Sequence, residues 1–179
     1  MTDVVTGGLV VLDPTADVPR EAAGALPRPA TLAGLAVGYL DNGKPNSDRF
    51  LTLLSARLRE DGALDAAWAR KPSIGRVASD ETLDDLAAQC DVVVTGVGDC
   101  AGCCSCTVRD AIALERRGVP AYVVCTTEMV TTARIAARAA GVPELPLTVI
   151  DHPLGSLTDD LLAARADVAL GQIRGRADR

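Results

Sequence analysis

Five times over, the chain alternates between a short apolar run and a helical pattern, and that alternation leaves few folds open to it. Leu35-Ala36-Val37-Gly38-Tyr39-Leu40 ends at Asp41-Asn42-Gly43, the mark of a buried strand entering a loop. From Ser47 to Glu60, Phe50, Leu51, Leu53, Leu54 and Leu58 recur at helical spacing until Asp61-Gly62 stops them. A weaker second strand falls at Ala66–Arg70. Ser79 caps the next helix, with Asp80 and Glu81 in its first turn and Leu83, Leu86 and Ala87 as its buried stripe. Val92-Val93-Val94 then runs into Thr95-Gly96-Val97-Gly98 as the third strand. Val108, Ile112, Ala113 and Leu114 mark a helix that stops at Gly118, before Pro120. The fourth unit is strand Ala121–Cys125 with helix Met129–Ala140, closed by Gly141 and Pro143. The fifth is strand Leu147–Ile150 with helix Thr158–Leu170.

Right-handed crossovers turn five such units into a parallel sheet with helices on both faces. The expected fold is therefore α/β: a flavodoxin-like, doubly wound, five-stranded parallel sheet of order 2-1-3-4-5 in one domain. Residues 34–179 supply it, and residues 1–33 form an N-terminal extension. Pro14, Pro19, Pro27 and Pro29 make residues 13–33 a linker or a surface-hugging arm. Leu9-Val10-Val11-Leu12 is a candidate for an added edge strand or a partner contact, and the polar tail from Gly171 is expected to fray. In this topology ligands bind at the carboxyl ends of the strands, where the order reverses between the first and third. The loop Asp41–Asn46 and the loop Gly98–Cys106 would then face each other.

Composition narrows the function. The 179 residues are 48% hydrophobic, enough for one core, and carry a net charge of −6. Trp68, Tyr39, Tyr122 and Phe50 are the only aromatics, too few for platforms on which bases stack. An acidic chain also lacks the basic face a nucleic-acid binder needs. No apolar stretch approaches the ~20 residues of a membrane helix, and the first thirty residues show no leader pattern. The expectation is a cytoplasmic protein acting on a small molecule, without nucleic acid or membrane. The arm is a candidate contact for a second copy or for a partner enzyme subunit.

Four of the six cysteines lie in seven residues, Cys100-x-x-Cys103-Cys104-x-Cys106, at a strand-to-helix junction. In a reducing compartment such a cluster points to catalysis, redox chemistry or metal rather than structural disulfides. A helix N-terminus favours negative charge, so thiols there are expected to ionise more easily. Cys100 and Cys103 have the spacing of a dithiol redox pair; a thiolate there is equally a nucleophile toward carbon, sulfur or metal centres. Alternatively Cys100, Cys103, Cys104 and Cys106 are soft ligands for Zn²⁺, Cu(I) or an Fe–S cluster, or two or three of them hold a metal together with His152. No second cysteine knuckle accompanies them. Cys90 and Cys125, beside apolar strand runs, read as small buried residues.

The stretches LDNGKPNSD (40–48), CDVVVTGVGDCAGCCSCTVRDA (90–111), LERRGVPAYVV (114–124) and DHPL (151–154) resemble the UGSC family. These small α/β proteins are named for a Sec-Gly-Ser-Cys motif whose first position is selenocysteine or cysteine. The resemblance covers residues 34–155 and implies the same fold and a thiol or selenol redox function. It sets Cys100 on the selenocysteine position and Cys103 on the motif's cysteine. Ala101-Gly102 departs from Gly-Ser, and Cys104 and Cys106 are additional thiols. Cys100 is thus the expected nucleophile and Cys103 its resolving thiol.

Around them, Lys44 with Asn42 and Asn46 is a candidate site for a carboxylate or phosphate. Asp99 is a candidate general base or helix cap. His152, the chain's single histidine, and Glu128 follow the last two strands as candidate acid–base groups, against the plainer readings of a surface histidine and a helix-start carboxylate.

Overall fold

A computed structural model describes residues 4–6, 9–11 and 24–175. The strands are β1 (Val4–Thr6), β2 (Leu9–Val11), β3 (Ala36–Asp41), β4 (Leu64–Arg70), β5 (Val92–Gly98), β6 (Ala121–Thr126) and β7 (Leu147–Ile150). The helices are α1 (Ser47–Glu60), α2 (Asp80–Gln89), α3 (Ala101–Glu115), α4 (Val130–Ala139) and α5 (Asp159–Arg174), with a single 3₁₀ turn at Thr127–Met129. Strands β3 to β7 form one parallel sheet in the order β4-β3-β5-β6-β7, which is the expected 2-1-3-4-5 arrangement.

Strands β5 and β6 are buried at every residue, so their side chains split between two cores by parity, except past the irregularity after Thr95, where Val97 joins Val92 and Val94. Val92, Val94, Tyr122 and Val124 face α1 and α5, where Phe50, Leu54, Leu162 and Ala166 close the first core. Val93, Ala121, Val123 and Cys125 face α2, α3 and α4, packing with Leu86, Val108, Ile112 and Ala133 in the second. Strand β4 is half-solvated because it is the open edge, and this is why its sequence is the least apolar of the five. Its Trp68 stays half-exposed while stacking on the buried Tyr39, ring centres 4.3 Å apart.

Three expectations change. Leu9–Val11 is not an added edge of the main sheet: it pairs antiparallel with Val4–Thr6 in a separate two-stranded sheet, and Leu12 lies outside the described residues. The tail does not fray at Gly171. Helix α5 continues to Arg174 because Ile173 is buried and the Gln172 amide accepts from Val149 N and donates to Val149 O. Residues 176–179 lie outside the description. Finally, Gly98–Cys106 is not a loop. Helix α3 starts at Ala101, so three of the clustered thiols sit inside it and Cys100 is its N-cap.

Of the extension, residues 12–23 lie outside the description, but residues 24–33 hug the amino-terminal end of the sheet. Leu32 is buried in the first core. The Arg28 guanidinium donates to Glu115 at the end of α3 and to Ala121 O at the start of β6, and lies over the Tyr122 ring.

Candidate active site

Sulfur replaces oxygen in a reciprocal cap at the start of α3. The Cys100 sulfur accepts from Cys103 N at 3.4 Å, and the Cys103 sulfur accepts from Cys100 N at 3.1 Å. This is the geometry of a capping box, in which the cap and the third helical residue each satisfy the other's N–H. It also brings the two sulfurs to 2.8 Å, against about 2.05 Å in a formed disulfide. Asp99 N adds a third hydrogen bond, to the Cys103 sulfur at 3.3 Å. Cys100 is half-buried and Cys103 is 1% exposed, so one thiol is accessible and its neighbour is screened.

Burial outweighs the helix N-terminus at Cys103. Loss of solvation pushes its thiol up to about 11, with the side-chain hydrogen bond it shares with Cys100 adding to the rise and the Asp99 and Cys100 N–H groups opposing it. The expected easy ionisation therefore fails for this thiol. Cys104, fully buried, is pushed to about 12 by the same loss of solvation and by the neighbouring Cys125. Its sulfur packs in the second core, 3.6 Å from Met129 O. Gly98 makes that approach possible: a Cβ there would sit 3.0 Å from both the Cα and the sulfur of Cys104. Cys106 lies half-buried further along the helix.

Helical rotation thus separates the four thiols instead of gathering them. Among the described residues no three His, Cys, Asp or Glu side chains converge as a metal-ligand group.

The carboxylate of Asp99, 6% exposed, organises the other side of the site. Its oxygens accept from Leu154 N at 3.1 Å and Gly155 N at 3.4 Å. Lys44 Nζ stands 3.6 Å from Oδ2, and His152 Nδ1 is 3.0 Å from Oδ1. Thr126 Oγ is also 3.0 Å from His152 Nδ1, so Nδ1 is engaged twice while Nε2 has no hydrogen-bond partner among the described residues. His152, two strands away in sheet order, is therefore part of the same cluster as Asp99 and Lys44. The first-strand loop and the thiol helix do face each other, as the topology requires.

The remaining candidates divide. Asn42 is fully buried; its amide donates to Val97 O and Thr107 Oγ, and its oxygen accepts from Lys44 N, so it holds the loop in place. Asn46, in the left-handed region at φ 67, donates to Leu154 O and Leu157 O and ties the loop to the turn after β7. Glu128 is exposed in the turn after β6 and is not brought into the Asp99 cluster. Sequence reasoning missed Thr126, Thr107 and the buried Lys71–Asp110 pair, 2.7 Å apart, which pins the segment after β4 to α3. Thr126 had one signal, its place as the last residue of a strand at the ligand-binding edge. The others had none.

The UGSC family model matches residues 10–177, nearly the whole chain. The chain belongs to the UGSC family. Nothing among curated proteins and nothing among solved structures matches it. In this UGSC protein the thiols joined in the reciprocal cap are Cys100 and Cys103, the two that the resemblance set on the family motif.

Proposed function

We propose that this UGSC protein is a thiol-dependent oxidoreductase of a small anionic molecule, with Cys100 as nucleophile and Cys103 as resolving thiol. The observation that carries the reading is the pair itself: two sulfurs 2.8 Å apart at a helix start, one accessible and one buried. Cys100, having lost its proton, attacks one atom of an S–S or O–O bond, which breaks and leaves with the electron pair and a proton. Cys103 then gives up its proton and attacks the Cys100 sulfur, expelling the second half as a thiol or as water. The substrate gains two electrons and two protons, the dithiol becomes a disulfide, and a low-molecular-weight thiol reduces it again. Lys44 and the start of α3 attract the anion, and Asn42 and Asn46 shape the Lys44 loop. Asp99 orients His152, whose Nε2 exchanges the protons.

The test is oxidation of the fully reduced protein with hydrogen peroxide or a small disulfide. The mass should fall by about 2 Da, with Cys100 and Cys103 joined in one peptide. Cys100→Ser and Cys103→Ser should each abolish the loss. An oxidised protein that keeps all its thiols, or a mass loss that survives Cys100→Ser, overturns the reading.

A further inference from the structure

Helix α3 turns its outer face into a groove of about 800 Å³ between α2 and α4, away from the Asp99 cluster. Val77 and Ile135 stand on its lips, 47% and 63% exposed, and Ala113, Ala136 and Ala140 keep it open because they are small. Arg109 and Arg116 put positive charge on its α3 side. Nothing in the thiol chemistry uses this face.

We infer that the β1–β2 hairpin of the same chain docks in this groove. The first argument is where the described chain begins. Ala25 packs on the same apolar cluster as Ala113, Ala136 and Ala140, and Leu26 N donates to Glu115 in the last turn of α3, so the chain leaves from the groove's own end. The second is length. The groove follows α3 from Ser105 to Arg116, about 16 Å at the rise of a helix. Residues 12–23 can span up to about 40 Å.

The third argument is what the hairpin needs. Its Val4-Val5-Thr6 and Leu9-Val10-Val11 strands pair at three positions and, among the described residues, only with each other. A lone two-stranded hairpin is marginal in water and becomes stable by packing an apolar face on something else. Charge agrees: of the lining carboxylates Asp110 is paired with Lys71 and Asp80 with Arg117, which leaves Arg109 and Arg116 for a tether that carries Asp13, Asp17 and Glu21 against Arg20 alone. The family match begins at residue 10, so the end of β2 and the whole tether of residues 12–23 lie within it. A covalent tether of a dozen residues holds the hairpin at about millimolar effective concentration, which favours its own groove over another copy's.

Hydrogen exchange on three proteins tests this: the full chain, a chain lacking residues 1–23, and full-length Ile135→Arg. The truncation keeps Leu26, Arg28 and Leu32, and Ile135 is exposed, so both variants should fold; unchanged exchange in β5 and β6 verifies that. Amides of α4 at 132–139 should exchange at least about tenfold faster in both variants. A synthetic peptide of residues 1–23 should restore protection to the truncated chain but not when Ile135→Arg is added. Unchanged exchange on truncation, or peptide protection outside α2–α4, overturns the proposal. So does a full-length dimer that truncation converts to a monomer, since the hairpin would then dock on a second copy.

Discussion

Two buried carboxylates mark the two ends of α3, and they are used in opposite ways. Glu115, at the amino-terminal end of the sheet, accepts from Leu26 N, Ala121 N and the Arg28 guanidinium, and both members of that ion pair are about 95% buried. Asp99, at the carboxyl end, is as buried as Glu115 and also accepts from two backbone N–H groups. Its side-chain partners differ: Lys44 is 19% and His152 34% exposed. Glu115 binds groups that cannot leave, whereas Asp99 binds groups a ligand can reach. The comparison teaches that burial of a carboxylate does not mark a site; accessibility of its partners does.

The largest expected effect lies at Glu115. Glu115→Ala leaves the Arg28 charge buried and unpaired and should cost about 3–5 kcal/mol in urea unfolding, with thiol oxidation unaltered. Asp99→Asn should cost about 1–2 kcal/mol, because Lys44 and His152 can turn to water, but should slow thiol oxidation and shift its pH profile. Equal costs with unaltered chemistry would break the comparison.

Next is Gly98→Ala. Its Cβ meets the backbone of Cys104 as well as the sulfur, so α3 must shift; about 1–3 kcal/mol of stability and fast disulfide closure should be lost together. A stability loss with normal closure would show that the reciprocal cap tolerates movement of its helix.

Cys104→Ala should cost about 1–2 kcal/mol and leave oxidation of the Cys100–Cys103 pair intact. The folded protein holds the Cys104 thiol protonated up to about pH 12, whereas an ordinary thiol ionises near 9.0. Its contribution is therefore complete below pH 9 and is lost as pH rises toward 12. The stability difference between wild type and Cys104→Ala should be flat to pH 9 and then shrink. A difference that grows with alkalinity would show that the sulfur is solvated.

The smallest stability effect belongs to Lys44→Met, under about 1 kcal/mol, since Nζ is partly exposed and 3.6 Å from Asp99. Anionic substrates should nevertheless bind more weakly to this variant. If neutral and anionic substrates lose equally, Lys44 supports the loop rather than the ligand.

Much of the fold was legible because each strand and helix announces itself locally. The run at 92–98 and the stripe of α1 are buried where their periods place them. Strand β4 was faint because an edge strand has only one neighbour to satisfy. The start of α3 was misread because Gly102 and adjacent cysteines resemble loop chemistry, while a sulfur can cap a helix as a hydroxyl does. The Asp99 cluster was half legible: the order of strands brings Lys44 to Asp99, but the contact with His152 depends on how the turn after β7 folds back.

By itself, then, the sequence determined the α/β alternation, the strand order, the family and the sheet edge at which Lys44, Asp99 and Cys100 gather, because periodicity and crossover handedness are local rules. Tertiary structure decided which thiols meet. Four cysteines within seven residues are equivalent on paper; one helical turn joins Cys100 to Cys103, sends Cys104 into the core and leaves Cys106 apart. Only the packing of α3 against Gly98 and the second core sets that rotation.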